Sequence, residues 1–147
     1  MHSRVFEIFP LDEVVEDGGY GEDLPEWWYQ SECDYYNEIT DNACKKDALE
    51  WLAFDEEVVG NAVVFGKKCL ERRWKEFKKL LEKLMTVTKE EFLGENGDVD
   101  FDMYKLKEAH NRRTEFWFFW DDEMYTLSEM ERRGGAFRIG RIWDYHF

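Results

Sequence analysis

The sequence predicts an α+β fold in a single domain over residues 1–147, with a C-terminal antiparallel sheet (a meander) and helices packed on one of its faces. Three observations lead to this prediction. The length matches the usual size of one domain. Apolar residues repeat at helical spacing near residues 67–85 and form short runs between turn residues over residues 114–147. The chain is 44% hydrophobic and 18% aromatic, which is enough apolar surface for a core.

The first half of the chain gives mixed signals. Ser3–Phe9 alternates as a strand does and ends at Pro10. Asp12–Pro25 is rich in acids and glycines and predicts a loop. Glu26–Ile39 is ambiguous and favours a short helix with Trp28, Glu32, Tyr35 and Ile39 near one face. A clearer helix over Asp41–Phe54 starts at an N-cap aspartate and turns Ala48, Trp51 and Leu52 inward.

Asn61–Phe65 predicts either a buried strand or a link into the next helix, and the strongest helical signal follows it. Apolar residues of Lys67–Met85 recur at steps of four, three, four and three: Leu70, Trp74, Phe77, Leu81 and Leu84. Thr88 and Glu91 resemble a capping box for a short helix that ends at Gly94. Residues 95–100 then predict a turn, and Phe101–His110 predicts another short helix.

The remaining residues predict sheet. Strands are expected over Thr114–Trp120, Met124–Glu129 and Ala136–Phe147, with turns at Asp121-Asp122 and Gly134-Gly135. Phe116–Trp120 is apolar throughout, so we expect this strand to be buried on both faces. It is also the longest strongly apolar stretch, far short of the roughly 20 residues that a membrane-spanning helix needs.

Charge is distributed unevenly along the chain. The net charge is -14, and all of it lies in the acidic half, residues 1–66, which holds 17 acids and three bases. Residues 67–147 hold 17 of each and are neutral. Between Val5 and Cys44 there are twelve acids and no Lys or Arg. Direct binding of the whole surface to a nucleic-acid backbone is therefore not expected. No membrane partner is expected either.

Motifs for catalysis and metal binding are weak. Gly60–Lys68 fails as a phosphate-binding loop, because five residues separate its glycines and no Ser or Thr follows the lysine. Asp121-Asp122-Glu123 is typical of a solvated hairpin turn, and Asp144 with His146 is typical of plain surface. We expect no catalytic residue, no metal and no cofactor, and hence no enzyme.

The cysteines and the N-terminal residues favour a cytoplasmic protein, in a host cell if the gene belongs to a phage. Cys33, Cys44 and Cys69 are an odd number and carry no nucleophile signature, which is typical of a reduced compartment. The residues after Arg4 do not form the apolar core of a signal peptide.

The helix over Lys67–Lys83 carries eight bases and three acids. Three interpretations stay open for it: a surface for nucleic acid or a partner, a solvated face with i,i+4 ion pairs, or a face that lies beside the acidic half. The second and third are favoured, because the overall negative charge opposes the approach of nucleic acid.

Acids and aromatics interleave over Asp12–Asp41, which predicts a surface that fits a strongly basic cleft. Carboxylates can stand where DNA phosphates would lie, and Trp and Tyr side chains are frequent anchors at interfaces. Some of the aromatic side chains must pack inward instead. The candidate partner-binding residues are Asp12, Glu13, Glu16, Asp17, Glu22, Asp23, Glu26, Trp27, Trp28, Tyr29, Glu32, Asp34, Tyr35, Tyr36, Glu38 and Asp41.

Asp12–Asp41, with Trp27-Trp28-Tyr29 and Tyr35-Tyr36 among its acids, resembles the small acidic proteins of phages and mobile elements that block host defence. Those are the anti-CRISPR and antirestriction proteins, several of which are DNA mimics. The resemblance is one of class and implies a protein inhibitor whose partner is a nucleic-acid-binding protein, such as an RNA-guided nuclease effector or a restriction complex. Two alternatives are an immunity protein or antitoxin against a basic nuclease toxin, and a nucleic-acid-binding regulator that uses the helix over Lys67–Lys83.

Overall fold

A computed structural model describes residues 2–13, 23–94, 97–110 and 116–147, without the side chains of residues 67–69, 97 and 108–110. Its chain divides into two compact units: a sheet unit of residues 1–67 and 114–147, and a helical unit of residues 68–113. The predicted α+β class is confirmed. The one-domain organisation over residues 1–147 stays a prediction.

The described residues of the sheet unit form seven strands and three helices. They are β1 (His2–Pro10), α1 (Glu26–Glu32), β2 (Tyr35–Glu38), α2 (Asn42–Ala53), β3 (Glu57–Val59), β4 (Ala62–Phe65), β5 (Trp117–Trp120), β6 (Glu123–Thr126), α6 (Leu127–Arg133) and β7 (Gly135–His146). Helices α3 to α5 lie in the helical unit. The strands follow the order β3-β4-β7-β1-β5-β6, and β2 pairs with the end of β7.

The predicted meander is wrong in its connections. β5 and β6 do form an antiparallel hairpin, but β7 does not pair with β6. β1 lies between β5 and β7, parallel to the first and antiparallel to the second. The N-terminal strand takes this central place because Val5, Phe6, Ile8 and Phe9 give it apolar side chains for both faces.

Helices cover both faces of the sheet, whereas the sequence predicted cover on one. On the first face, Phe6, Phe118 and Ile142 pack with α2 and α6. On the second face, Val5, Phe119 and Trp143 pack with Trp28 of α1. A sheet whose central strands are apolar on both sides needs cover on both sides. The expectation that Phe116–Trp120 is buried on both faces is confirmed, with Phe118 and Phe119 almost inaccessible.

A bulge in β7 lets a charged pair lie inside the sheet. Gly140 and Arg141 together oppose Glu7 of β1, where the register shifts between Phe6 and Ile8. Glu7 is 2% exposed, and Arg141 donates to it from Nε over 2.7 Å. A Cβ atom on Gly140 would lie 2.5 Å from the Phe9 ring and 2.6 Å from Oε1 of Glu7. Only glycine fits this position without a shift of its neighbours.

The helical unit consists of α3 (Lys67–Leu84), α4 (Lys89–Leu93) and α5 (Gly97–His110). The predicted helix over Lys67–Met85 is confirmed, and so is the capping box, since Thr88 accepts from the Glu91 amide and Glu91 accepts from that of Thr88. The predicted turn over residues 95–100 is wrong at its end, because α5 begins at Gly97 with acids in its first turn. Nζ of Lys83 lies 2.5 Å from Oδ2 of Asp102 and ties α3 to α5.

Candidate partner-binding surface

Six of the predicted acids lie on a ridge along one margin of the sheet unit. Three come from the approach, the start and the end of α1, and the other three follow the chain through β2 to the start of α2. All six are exposed. The acidic ridge comprises Asp23, Glu26, Glu32, Asp34, Glu38 and Asp41.

The fold holds the ridge by its backbone. β2 pairs residue by residue with β7, from Tyr35 opposite His146 to Glu38 opposite Trp143. The amide of Asp34 donates to the carbonyl of His146 over 2.8 Å. Asp41 caps α2 by accepting from the Cys44 amide over 2.9 Å, and this bond lowers the pKa of the Asp41 carboxyl. The predicted N-cap is therefore confirmed, and backbone hydrogen bonds hold the ridge from Asp34 to Asp41.

The aromatic residues of the segment divide between core and surface. Trp28 is fully buried and packs edge-on against Tyr145 at 5.2 Å and Trp117 at 6.1 Å, so it leaves the candidate surface. Tyr36 is half-buried. Trp27, Tyr29 and Tyr35 remain exposed, by 51%, 41% and 45%. Three of the five predicted aromatic anchors thus lie on the ridge.

The structure does not place every predicted acid on this ridge. Asp12 and Glu13 follow the far end of β1, whose nine residues separate them from the Tyr35 end of the sheet by about 25 Å. There Arg138 donates to the Glu13 carbonyl over 2.9 Å. Glu16, Asp17 and Glu22 lie outside the described residues. The described residues of Asp12–Asp41 therefore do not form a single surface.

The single helix expected over Glu26–Ile39 is wrong beyond Glu32. Cys33 is extended and the chain continues as β2, so Tyr35 and Tyr36 point to opposite sides of the sheet. Tyr36 contacts Trp28 and Tyr29 on the side of α1. Tyr35 stacks on His146 on the other side. The ridge therefore presents anchors on both sides of the β2 edge.

A row of three rings, which the sequence analysis missed, supports the ridge. Tyr35, His146 and His2 lie side by side on three neighbouring strands. Tyr35 stacks parallel to His146 at 5.3 Å, and His2 meets His146 edge-on at 5.1 Å. No signal in the sequence places residue 2 beside residue 146, because their contact depends on the pairing of β1 with β7.

Each histidine of the row lies against a carboxylate. Nδ1 of His146 is 3.0 Å from Asp34, and Nδ1 of His2 is 3.0 Å from Asp144, which also pairs with Arg4. Among the described residues, no group of three or more His, Cys, Asp or Glu side chains is arranged to hold a metal ion. Both histidine rings thus have a carboxylate partner, and the exposed Tyr35 side chain stacks on one of them.

The other candidate groups have structural explanations. Asp121 and Asp122 have positive φ angles and form the exposed β5–β6 turn, as predicted. Gly60 and Gly66 end β3 and β4, in agreement with the rejection of a phosphate-binding loop. Burial and the neighbouring acids raise the pKa of the Cys33 thiol, and the hydrogen bond to Asp41 raises that of Cys44. Activated cysteines need the opposite shift.

Among the described residues, no helix combines the length and the apolar character that crossing a bilayer requires. Comparison of the chain with models of protein families, with curated proteins and with solved structures finds no match.

Proposed function

We propose that this protein is a stoichiometric inhibitor of a nucleic-acid-targeting defence nuclease, of the anti-CRISPR or antirestriction type. One observation carries the proposal: an ordered ridge of six exposed carboxylates with three exposed aromatic side chains between them, Trp27, Tyr29 and Tyr35. The unit that bears the ridge holds 24 acids and eight bases. Such a ridge fits a basic channel that otherwise holds DNA or RNA.

The physical reason is substitution of phosphates by carboxylates. Duplex DNA presents one charge per roughly 1.7 Å of its axis, and a protein that binds it gains free energy from released counterions. Carboxylates on a folded edge make the same contacts with Lys and Arg, and they steer the approach of the two proteins. Exposed Trp and Tyr side chains supply apolar anchors that occupy base-stacking pockets.

An immunity protein that neutralises a basic nuclease toxin would use the same electrostatics, so it is the second candidate within this class. The regulator interpretation rests on α3, where Trp74 is 60% exposed beside a row of lysines. The negative charge of the rest of the chain opposes it.

The test begins with a pull-down of the tagged protein from a host lysate at low salt, eluted by a salt gradient. We expect a basic nuclease or effector subunit, released within a few hundred millimolar salt, because exposed charge pairs are screened at that ionic strength. Retention of the purified protein on a DNA column at physiological salt would instead support the regulator.

The second step replaces the six ridge acids by Asn or Gln. Affinity for the captured partner should fall at least about tenfold, and its salt dependence should flatten, since rim charges govern both. A matched control replaces six acids elsewhere, namely Glu71, Glu76, Glu82, Asp121, Asp122 and Glu123, and should keep the affinity. Equal losses in the two variants would mean that net charge, and not the ridge, accounts for binding.

A further inference from the structure

The helical unit leaves its large apolar side chains uncovered. Among its described side chains, only Asp102 is buried. Eight apolar residues on the three helices and in the turn after α3 are exposed by 38% to 79%: Leu70, Trp74, Met85, Phe92, Leu93, Phe101, Met103 and Tyr104. Exposed apolar surface of this extent marks an interaction site. A unit of 46 residues is also small for an independent hydrophobic core.

One part of this surface is a projecting aromatic and cationic pair on α3. The Trp74 ring stacks on Phe77 at 5.9 Å, with 20° between the planes. Nζ of Lys78 lies 5.7 Å from the centre of the Trp74 ring. The stacking on Phe77 therefore orients the Trp74 indole, and the ammonium group of Lys78 lies beside that indole. We call Trp74 and Lys78 the knob.

The other part is an apolar cleft at the opposite end of α3. Its volume is about 190 Å³, and it is lined by Leu84, Val87, Phe92, Val99 and Met103. Two carboxylates, those of Glu91 and Asp100, also line it. Glu91 is engaged in the capping box of α4, so Asp100 is the carboxylate that an incoming cation would meet. Because a cavity of roughly 150 Å³ accommodates benzene, this cleft has room for an aromatic ring.

The knob cannot reach the cleft of its own chain. Ten residues of one continuous helix separate Trp74 from Leu84, which is about 15 Å along the axis. We propose that two copies of this chain associate through their helical units, with the knob of each copy in the cleft of the other. Trp74 then packs against Phe92 and Met103, and Lys78 pairs with Asp100. The exchange is reciprocal, as a two-fold axis requires.

Charge and area agree with a second copy as the occupant. α3 carries eight bases and three acids, whereas residues 85–110 carry three bases and seven acids. Two-fold association places each of these segments against its opposite. If Trp74, Phe92 and Met103 of each copy each bury on the order of 150 Å², each copy buries at least about 450 Å², which is at the small end of specific interfaces. A nucleic acid would cover only the basic part.

The experiment is sedimentation equilibrium of the full chain between about 1 and 100 µM at physiological salt. We expect a monomer–dimer equilibrium for the wild type. Trp74→Ala should raise the dimer Kd about 30-fold, as the loss of an interface hot spot does. Phe54→Ala removes a side chain that is 75% exposed in the sheet unit and should leave the Kd unchanged.

A charge exchange tests the reciprocal geometry. Lys78→Glu and Asp100→Lys should each weaken the dimer, since each places like charges together at both contacts. An equimolar mixture of the two variants should dimerise again, because every knob then meets a cleft of opposite charge. Lys46→Glu, which changes an exposed lysine of the sheet unit, is the control and should leave the wild-type behaviour.

A wild-type chain that stays monomeric at about 100 µM overturns the proposal, whatever else covers the cleft. Failure of the mixture to dimerise overturns the knob-in-cleft geometry. The variant with six ridge acids replaced should dimerise as the wild type does, so this inference and the proposed function fail independently.

Discussion

The sheet unit and the helical unit place their aromatic side chains differently. In the sheet unit, Phe6, Phe118 and Phe119 are almost inaccessible, and helices cover both sides of the strands that bear them. In the helical unit, Trp74, Phe92 and Phe101 are exposed. The first unit carries a net charge of about -16 and the second about +2, counted from the sequence with His neutral. The sheet unit thus has the core that stabilises it, and the helical unit has exposed apolar surface, which we propose binds a second copy.

The largest expected effect comes from Phe118→Ala in the sheet unit. Phe118 is fully buried, stacks on Phe6 at 5.7 Å and meets Phe65 edge-on at 4.9 Å. Truncation should lower the free energy of unfolding by about 3–5 kcal/mol, because it removes buried apolar area and leaves a cavity. Urea denaturation followed by tryptophan fluorescence measures this change.

The matched variant in the helical unit is Phe101→Ala. Its ring is 56% exposed and contacts Nζ of Lys105 at 4.3 Å from the ring centre, a contact of about 0.5–1 kcal/mol. The same denaturation experiment should therefore show a loss of about 1 kcal/mol or less. Similar losses for the two variants would show that the helical unit has a core of its own around Phe101.

An added methyl group should cost more stability in the filled interior of the sheet than in the open cleft of the helical unit. Gly140→Ala forces a methyl group against the Phe9 ring and against Glu7, which Arg141 holds in place. We expect a loss of about 2–3 kcal/mol, which is typical of overpacking. Val87→Leu adds a similar volume to the 190 Å³ cleft and should change stability by less than about 0.5 kcal/mol.

Thermal unfolding of Gly140→Ala and Val87→Leu measures the two stability changes. If Gly140→Ala is neutral, the bulge can shift and does not hold Arg141 against Glu7. A large loss for Val87→Leu would mean that the cleft is narrower than its volume indicates.

Local sequence patterns predicted the elements of both units well, and failed where two patterns competed. Residues 124–129 begin with a short apolar run after a turn, which is typical of a strand, but Thr126 and Glu129 also have the spacing of a capping box. The structure ends β6 at Thr126 and starts α6 at Leu127, whose side chain is buried with that of Met130. The corresponding box at Thr88 and Glu91 was predicted correctly, because no strand-like pattern competes with it there.

The threonine of each capping box stabilises its own helix by about 1 kcal/mol. Thr126→Ala should lower the global stability of the sheet unit by about 1 kcal/mol, because α6 packs into its core. Thr88→Ala should loosen only α4, none of whose residues is buried. Hydrogen exchange should show faster exchange at the start of α4 with little change in the sheet.

Equal effects of Thr126→Ala and Thr88→Ala on the main unfolding transition would contradict the comparison. It would mean that α4 unfolds together with the sheet.

The candidate surface was predictable in composition and not in shape. Acid and aromatic residues over Asp12–Asp41 are visible in the sequence, and the exposure of six acids agrees with it. The shape of the surface depends on pairing between strands that are far apart in the sequence. The register of β1 against β7 separates Asp12 from the ridge and brings His2 to His146. Periodicity reports on neighbours along the chain, and these contacts join residues more than 100 positions apart.

The smallest expected effect concerns the ion pair between α3 and α5. The hydrogen bond to Asp102 raises the pKa of Lys83 above its ordinary value of 10.5. The folded state therefore binds this proton more tightly than the unfolded state, so the pair stabilises the helical unit in full below pH 10.5. That contribution is lost as the pH rises through the raised pKa. Lys83→Gln should melt the helices earlier than the wild type at about pH 8, and the difference should shrink as the pH rises through the raised pKa. Circular dichroism during heating measures both, and Lys79→Gln is the control with an exposed lysine on the same helix. A difference between wild type and Lys83→Gln that does not shrink at higher pH would mean that packing of the lysine stem, and not its charge, joins α3 to α5.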